Sequence, residues 1–452
     1  MKISLLKSYT LTFIGIFFFI ACNSSNNHST TDNSSKLDTL PISPLLKRDT
    51  TLGSPKEEAL FQKKYDQFVK KINSDSSNLE ALLGLTELYI AEARITGEHP
   101  YYYPAALKTV NYVLDQNPQQ KEILFQAYSL KASVLLSLHE FEKGLKVAEK
   151  AVAINPYNAN IYGALVDANV ELGNYEKAVE KADKMVSIRP DLRSYSRISY
   201  LREIHGDVEG SKEAMTMAVK AGYPGYESTA WARYTLAKIY ENYGDLSNAE
   251  MHYQKTLQER PNYAFAIDGL ANIELKKGNL ENAEKLAEKA ISIIPEVSFY
   301  ETLASIYMVT NREEKAKEMA HEIISMMKED EASGHLMDLD KAKVYLDLLD
   351  EPDKALKLAE KEYAARPENI DVNLFISQIY VQQEKFSEAK KHLEIAKKTN
   401  SQKPELLLTE GFIQWHDNNK KEAQKLFNMA FEKNPYLTGE LATEAKLKLK
   451  NS

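Results

Sequence analysis

The sequence predicts an all-α fold, an α-solenoid of about ten helix–turn–helix units closed by a C-terminal capping helix. Three observations carry this. Prolines at 156 and 190, at 261 and 295, and at 367 and 435 are separated by one or two steps of about 34 residues, the period of a helical-hairpin array. A small residue returns in phase: Ala106, Gly144, Ala178, Ser211, Ala249, Ala283, Ala316, Ala355, Ala389 and Ala423. Gly (17) and Pro (15) are too few in 452 residues for a chain of many β-turns.

The elements follow in order. Lys2 and Lys7 precede an apolar run from Leu11 to Ala21. That run is shorter than the roughly 20 residues a membrane-spanning helix needs, and a basic start with a short apolar core reads as a secretory signal over residues 1–21. Cys22 is the only cysteine, so no intramolecular disulfide is available and the exported chain has to be held by packing. Residues 22–55 are rich in Ser, Asn and Thr and are expected to form a disordered tether, with ends roughly 30 Å apart on average. The solenoid is expected over 56–452. Residues 57–72 form a half-unit, 79–435 the repeats, and 438–451 the polar cap that such arrays need.

Two units show the physics, "ANIYGALVDANVELGNYEKAVEKADKMVSIRP" (159–190) and "AFAIDGLANIELKKGNLENAEKLAEKAISIIP" (264–295). Ile267, Leu270 and Ala271 stand at helical spacing on the first helix of the second unit. Gly173 and Gly278 end the first helices by accepting φ > 0. Ala283, Ala287 and Ala290 form a small-residue face on the partner helix, and Pro190 and Pro295 stop the second helices. Three stretches interrupt the period. Residues 94–104 are expected to lengthen the turn inside the first unit, and 221–228 and 328–335 to lengthen joints between units; each is a local bend or a partner-contacting loop.

Leu236, Ala237, Tyr240, Gly244, Ala249, Tyr253 and Pro261 in one unit, and Gly411, Ala423, Phe427, Ala430 and Pro435 in the last, resemble the tetratricopeptide repeat (TPR) family. The resemblance covers most of the chain after residue 55. Phe19-Ile20-Ala21-Cys22 resembles the lipobox of bacterial lipoproteins, with Phe19 where Leu is commonest. That second resemblance implies cleavage before Cys22 and lipidation of its thiol. It also implies a mature chain anchored in the cell envelope of a Gram-negative-type bacterium, facing the periplasm or the exterior. Asn23 after the cysteine favours the outer over the inner membrane under the enteric sorting rule.

Composition narrows the function. The formal net charge is −8, and −10 once Lys2 and Lys7 are removed with the signal, which argues against nucleic-acid partners. Phosphate-binding loops, nucleophile elbows and paired zinc cysteines are missing from the sequence. His321-Glu322 begins like a zinc motif without its second histidine, and Asp338 and Asp340 lack the remainder of a calcium loop. No cofactor and no enzymatic activity are expected.

What remains is binding. In the TPR family the second, fifth and ninth positions of each first helix line a concave groove. The resemblance therefore implies Arg193, Ser196 and Tyr200 in one unit, Trp231, Tyr234 and Lys238 in the next, and Phe265, Asp268 and Asn272 in the third. Aromatic residues with a few polar groups have the composition of a binding hot spot, although Trp231 and Phe265 could equally pack between units. Asp268 stands where the family's carboxylate clamp has Lys, so capture of a peptide C-terminus is not expected. Trp415 is similarly placed but is expected to lie under the capping helix. The resulting expectation is a non-enzymatic, lipid-anchored scaffold that binds protein or peptide partners in envelope assembly or secretion. The alternative is an envelope lipoprotein that captures glycans or small ligands with TPR-like helices.

Overall fold

The computed structural model describes residues 42–451; the signal segment, Cys22 and the first part of the tether lie outside the described residues. Among the described residues there are twenty-two α-helices and no strand. A leading helix α1 (Pro55–Ser74) precedes ten hairpins. They are α2 (Leu79–Thr96) with α3 (His99–Asp115), α4 (Lys121–Ser137) with α5 (Phe141–Ile154), α6 (Ala159–Glu171) with α7 (Tyr175–Ile188), α8 (Leu192–Ile204) with α9 (Val208–Ala221), and α10 (Glu227–Asn242) with α11 (Leu246–Glu259). The second half holds α12 (Ala264–Lys277) with α13 (Leu280–Ile293), α14 (Val297–Val309) with α15 (Glu313–Ala332), α16 (Asp338–Asp347) with α17 (Pro352–Ala365), α18 (Ile370–Gln382) with α19 (Phe386–Ala396), and α20 (Pro404–His416) with α21 (Lys420–Lys433). Helix α22 (Glu440–Lys450) closes the array: its Ala442 and Ala445 are buried, and Lys448 Nζ lies 4.9 Å from the Trp415 ring. The cap thus covers Trp415, as expected.

The hairpins form for the reasons legible in the repeat. Ala283, Ala287 and Ala290 are fully buried, so α13 packs closely on α12. Gly278 (φ 82°) caps α12, and helices α7 and α13 stop two residues before Pro190 and Pro295. First helices of neighbouring units pack on one another over most of the array, α14 with α16 and α16 with α18 excepted, whereas second helices of neighbouring units make at most marginal contact. The more closely spaced set of helices lies on the inside of a curve, so the first helices form the inner face.

The stretch 94–104 differs from expectation. Its turn is only Gly97 and Glu98; Pro100 sits at the start of α3 and Pro104 within it. Pro100 falls where a helix lacks N–H partners anyway, so "HPYYYP" extends the hairpin and forms no loop.

The solenoid also closes on itself. Turns inside the early units dock onto the joints that follow units about five places further on, across 192 to 203 residues of sequence. Arg260 Nη2 meets Glu57 Oε2 at 3.1 Å. Leu336 N donates to Leu138 O at 3.1 Å, while His139 Nδ1 lies 2.8 Å from Leu336 O. Asn369 caps α18 through its carbonyl oxygen, and its amide donates to Glu171 O at 2.9 Å. The Ile370 amide donates to the Tyr175 hydroxyl at 2.9 Å, and Arg366 pairs with Glu171. At the end of the line Asn434 Nδ2 donates to Asn242 O at 3.0 Å. All three interruptions of the period adjoin this packing. Gly97 abuts Ile294, Glu227 pairs with Arg94 at 3.2 Å, and of the expected joint 328–335 residues 328–332 continue α15, leaving the joint at 333–337, which carries Leu336.

Gly173 shows what the seam demands. Its φ of 77° suits glycine, and a Cβ there would stand 2.4 Å from Glu368 O. Gly278 has nearly the same φ and nothing within 4 Å of the equivalent position. Turns that dock carry glycine at 97, 173, 206 and 244, with His139 the exception. Beyond Gly278 the undocked turns carry Asn311, Asp350, Glu384 and Asn418 in the same left-handed conformation.

Residues 43–54, which the sequence reading placed in the disordered tether 22–55, are held on the solenoid. Ser43 N donates to the Tyr89 hydroxyl at 2.8 Å, Leu46 N to the Tyr102 hydroxyl at 2.9 Å, and the Tyr101 hydroxyl to Pro44 O at 2.7 Å. Arg48, 4% exposed, grips Glu92, 1% exposed, with Nε–Oε2 at 3.0 Å and Nη2–Oε1 at 2.6 Å. Leu52 packs on the cluster around Ile267, Ile293 and Phe299. The polar composition that suggests disorder is offset by tyrosine hydroxyls that satisfy the strap's backbone and by a buried carboxylate that receives its arginine.

Candidate partner-binding surface

The inner face is built from one stripe per first helix, and the nine residues predicted from the repeat register fall on α8, α10 and α12. Their environments differ. Arg193 is exposed and donates from Nη1 to Asn160 Oδ1 of the preceding unit at 3.3 Å. Ser196 is buried and donates to Arg193 O of its own helix at 3.1 Å, which leaves little of it for a partner. Tyr200 is 37% exposed and stands among Glu171, Tyr175, Glu203 and Asp371; burial, then these carboxylates, push its phenol well above the usual value. Trp231 is likewise 37% exposed.

Phe265 packs between units. Its ring lies 5.6 Å from Tyr234, 5.6 Å from Tyr263 and 5.2 Å from Phe299. Tyr234 is half-buried in the same stack, 5.9 Å from Tyr253. Of the two aromatics that the sequence leaves open between groove and packing, Phe265 belongs to the packing and Trp231 keeps open surface.

Lys238 Nζ lies 3.5 Å from Glu241, which is also gripped by Lys276 at 2.5 Å and by the Tyr253 hydroxyl at 2.6 Å. Asn272 Nδ2 bridges Asp268 Oδ2 at 3.2 Å and Thr302 Oγ1 at 3.0 Å. Asp268 is only 6% exposed, and its Oδ1 accepts no hydrogen bond. The adjacent Thr302 hydroxyl is shared between Ser298 O, at 3.1 Å, and the Asp268 carboxylate. Burial, reinforced by Glu241 and Glu301 against the pull of Thr302 and Lys238, raises the Asp268 carboxyl to about 7.

The sequence reasoning missed the continuation of this site. Glu301 on α14 and Asp340 on α16 stand at the same distance ahead of Ala316 and Ala355 as Asp268 does ahead of Ala283, so three consecutive units put a carboxylate at one position. Carrying the register two units further would have found them. Burial also pushes Glu301 and Glu296 up to about 7 and Asp347 to about 6. No group of three or more His, Cys, Asp or Glu among the described residues is arranged to hold a metal ion, and no helix among them is long and apolar enough to cross a membrane.

The chain is built of TPR-like repeats. Residues 234–403 match the family described as ChAPs (Chs5p-Arf1p-binding proteins). A human relative, mitochondrial import receptor subunit TOM70, is 24% identical over 298 residues, covering 63% of this chain and 46% of that protein. The chain therefore spans about half the length of the curated relative it matches. Solved structures of TPR proteins are similar at low scores. A thermophilic TPR protein of Thermus thermophilus is 21% identical over 44% of this chain and 99% of its own, with a TM-score of 0.38. A tetratricopeptide repeat protein of Parabacteroides merdae is 16% identical over 57% and 97%, with a TM-score of 0.35.

Proposed function

We propose that this chain is a non-enzymatic scaffold that binds protein or peptide partners along the inner face of its first helices, anchored to a bacterial envelope membrane through lipidated Cys22. The observation that carries the reading is the pair Tyr200 and Trp231, each 37% exposed on the inner face of adjacent units, with Asp268 in the next unit keeping Oδ1 without a hydrogen bond. Large aromatics left at a surface supply contact area at small entropic cost, and groups with unused hydrogen-bonding capacity supply orientation. The human relative is an import receptor subunit and the matching family is described as binding proteins, which supports the same class of role. Assistance to envelope assembly or secretion follows from the anchor reading.

The test is a crosslinking pull-down from membranes, comparing the native chain with a Tyr200→Ala, Trp231→Ala double variant. Partners captured by the native chain and lost in the variant are expected. The same partners in both would refute the inner face. The anchor is tested separately by labelled fatty-acid incorporation, expected in the native chain and absent in Cys22→Ser; equal labelling would refute it.

A further inference from the structure

We infer that residues 43–52 are a latch: they hold shut the first dock of the seam, where unit one meets the joints 222–226 and 260–263, and their release opens that dock while the later docks stay closed. The inference concerns the wall of the superhelix and does not rest on the inner face being the binding surface.

The strap touches both sides of this dock. On the near side its backbone is held by the hydroxyls of Tyr89, Tyr101 and Tyr102, and Arg48 reaches buried Glu92 on α2. On the far side Leu52 packs on the cluster of Ile267, Ile293 and Phe299. Leu52 also lines a small cavity in which Ile95 of unit one faces Tyr263, Phe265 and Ile294. Glu227 stands one helical turn ahead of Trp231 on α10, and Phe265 stacks on Tyr234. The latched part of the wall therefore backs on the aromatic residues of the candidate surface.

An alternating row of charges runs through the strap from one wall to the other. Arg48 Nη2 lies 2.6 Å from Glu92 Oε1, Arg48 Nη1 3.3 Å from Glu57 Oε2, and Arg260 Nη2 3.1 Å from that same Glu57 oxygen. Arg260 Nη1 donates onward to Gly225 O at 3.1 Å, which ties both joints to the row. Gly53 passes flush against it: a Cβ there would stand 2.2 Å from Glu57 Oε2 and 3.4 Å from Arg260 Nη2.

Glu57 owes its place to the strap. Ile72, near the far end of α1, is the buried residue of that helix. The start of α1 is held by the Ser54 cap, at 3.2 Å from Glu57 N, and by the Arg48 guanidinium, 4.7 Å from the Phe61 ring. Withdrawing the strap frees the first turns of α1, and with them the carboxylate that receives Arg260. What then still pairs across the dock is Arg94 with Glu227, and the Arg94 side chain is 45% exposed, so that pair contributes little. Three later docks bond turn to joint directly, through Leu138 O, Glu171 O and Asn242 O. Loss of the strap leaves those bonds in place, so opening is local.

The test is hydrogen exchange read by mass spectrometry on the full-length chain in detergent. Leu52→Ala withdraws the far-wall contact and leaves no charge unpaired. Arg48→Met combined with Glu92→Met removes the buried pair as a unit, so no lone charge stays behind. In both, residues 43–46 and 258–266 are expected to exchange about tenfold faster, with the amide of Ile370 at its native rate. Arg94→Gln, which cuts the exposed pair alone, is expected to leave both segments at the native rate. Faster exchange at 43–46 with 258–266 unchanged would show a wall that closes without the strap and would overturn the latch. Native exchange in both variants would overturn it too. So would equal loss of protection at Ile370, because the strap would then support the whole array and not one dock.

Discussion

Gly173→Ala tests the self-closing seam, with Gly278→Ala as its control. The two glycines have φ of 77° and 82°, so alanine meets the same backbone strain at each, about 1–2 kcal/mol. Only Gly173 faces another part of the chain. An added Cβ would stand 2.4 Å from Glu368 O and 2.5 Å from its carbonyl carbon, and nothing flexible is there to move aside. The seam must then part locally. Overpacking of this kind adds about 1–3 kcal/mol. It also strains the two bonds that flank the contact, Asn369 to Glu171 O and Ile370 N to the Tyr175 hydroxyl, each contributing about 1 kcal/mol. Gly278→Ala is thus expected to cost about 1–2 kcal/mol and Gly173→Ala about 3–5 kcal/mol. Urea midpoints rank the two variants, and hydrogen exchange locates the damage. The Ile370 amide is expected to lose protection in Gly173→Ala and keep it in Gly278→Ala. Equal destabilisation with unchanged protection at Ile370 would refute the seam, because strain at residue 173 alone has no route to residue 370.

Two further outcomes follow from buried charge. Asp268 has a folded-state carboxyl raised from an ordinary 3.8 to about 7, so ionising it costs stability fully above pH 7 and not at all below about 4. Asp268→Asn is therefore expected to stabilise the chain at pH 8, by at most about 4 kcal/mol, with the gain shrinking to nothing as pH falls to about 4; thermal melts across that range check it, and a pH-independent effect would contradict the assignment. Arg48→Ala strips the partner from Glu92, which is almost fully buried, and is expected to cost about 3–5 kcal/mol and free residues 42–54 from the solenoid. Limited proteolysis reads the strap directly, and cleavage unchanged from the native chain would show that Arg48 does not hold it.

Gly173 and Asp268 also mark how far the sequence could be read. The left-handed turn at Gly173 is visible because a helix C-terminus needs φ > 0, which is a local demand. That Glu368 presses against it is not visible, because the two are 195 residues apart in the sequence and meet only after small rotations between many units add up. A hint was present: glycine is kept at most docked turns and gives way to Asn, Asp or Glu at the undocked turns beyond Gly278. At the candidate site, the repeat register placed Asp268, Tyr200 and Trp231 on the inner face. It could not tell that Phe265 completes an inter-unit stack, or that Asp268 has an oxygen without a donor, since both depend on neighbours contributed by another unit.

The sequence by itself determined the helices, their pairing and the order of the array. Those follow from apolar periodicity, small residues at close contacts and proline and glycine at helix ends, all set within about 34 residues. Only the tertiary structure decided the seam, the docking of residues 43–54 and the burial of Asp268 with one oxygen lacking a hydrogen bond. Each of these compares groups brought together from distant units, and their free energies depend on burial and distance, quantities that no single repeat contains.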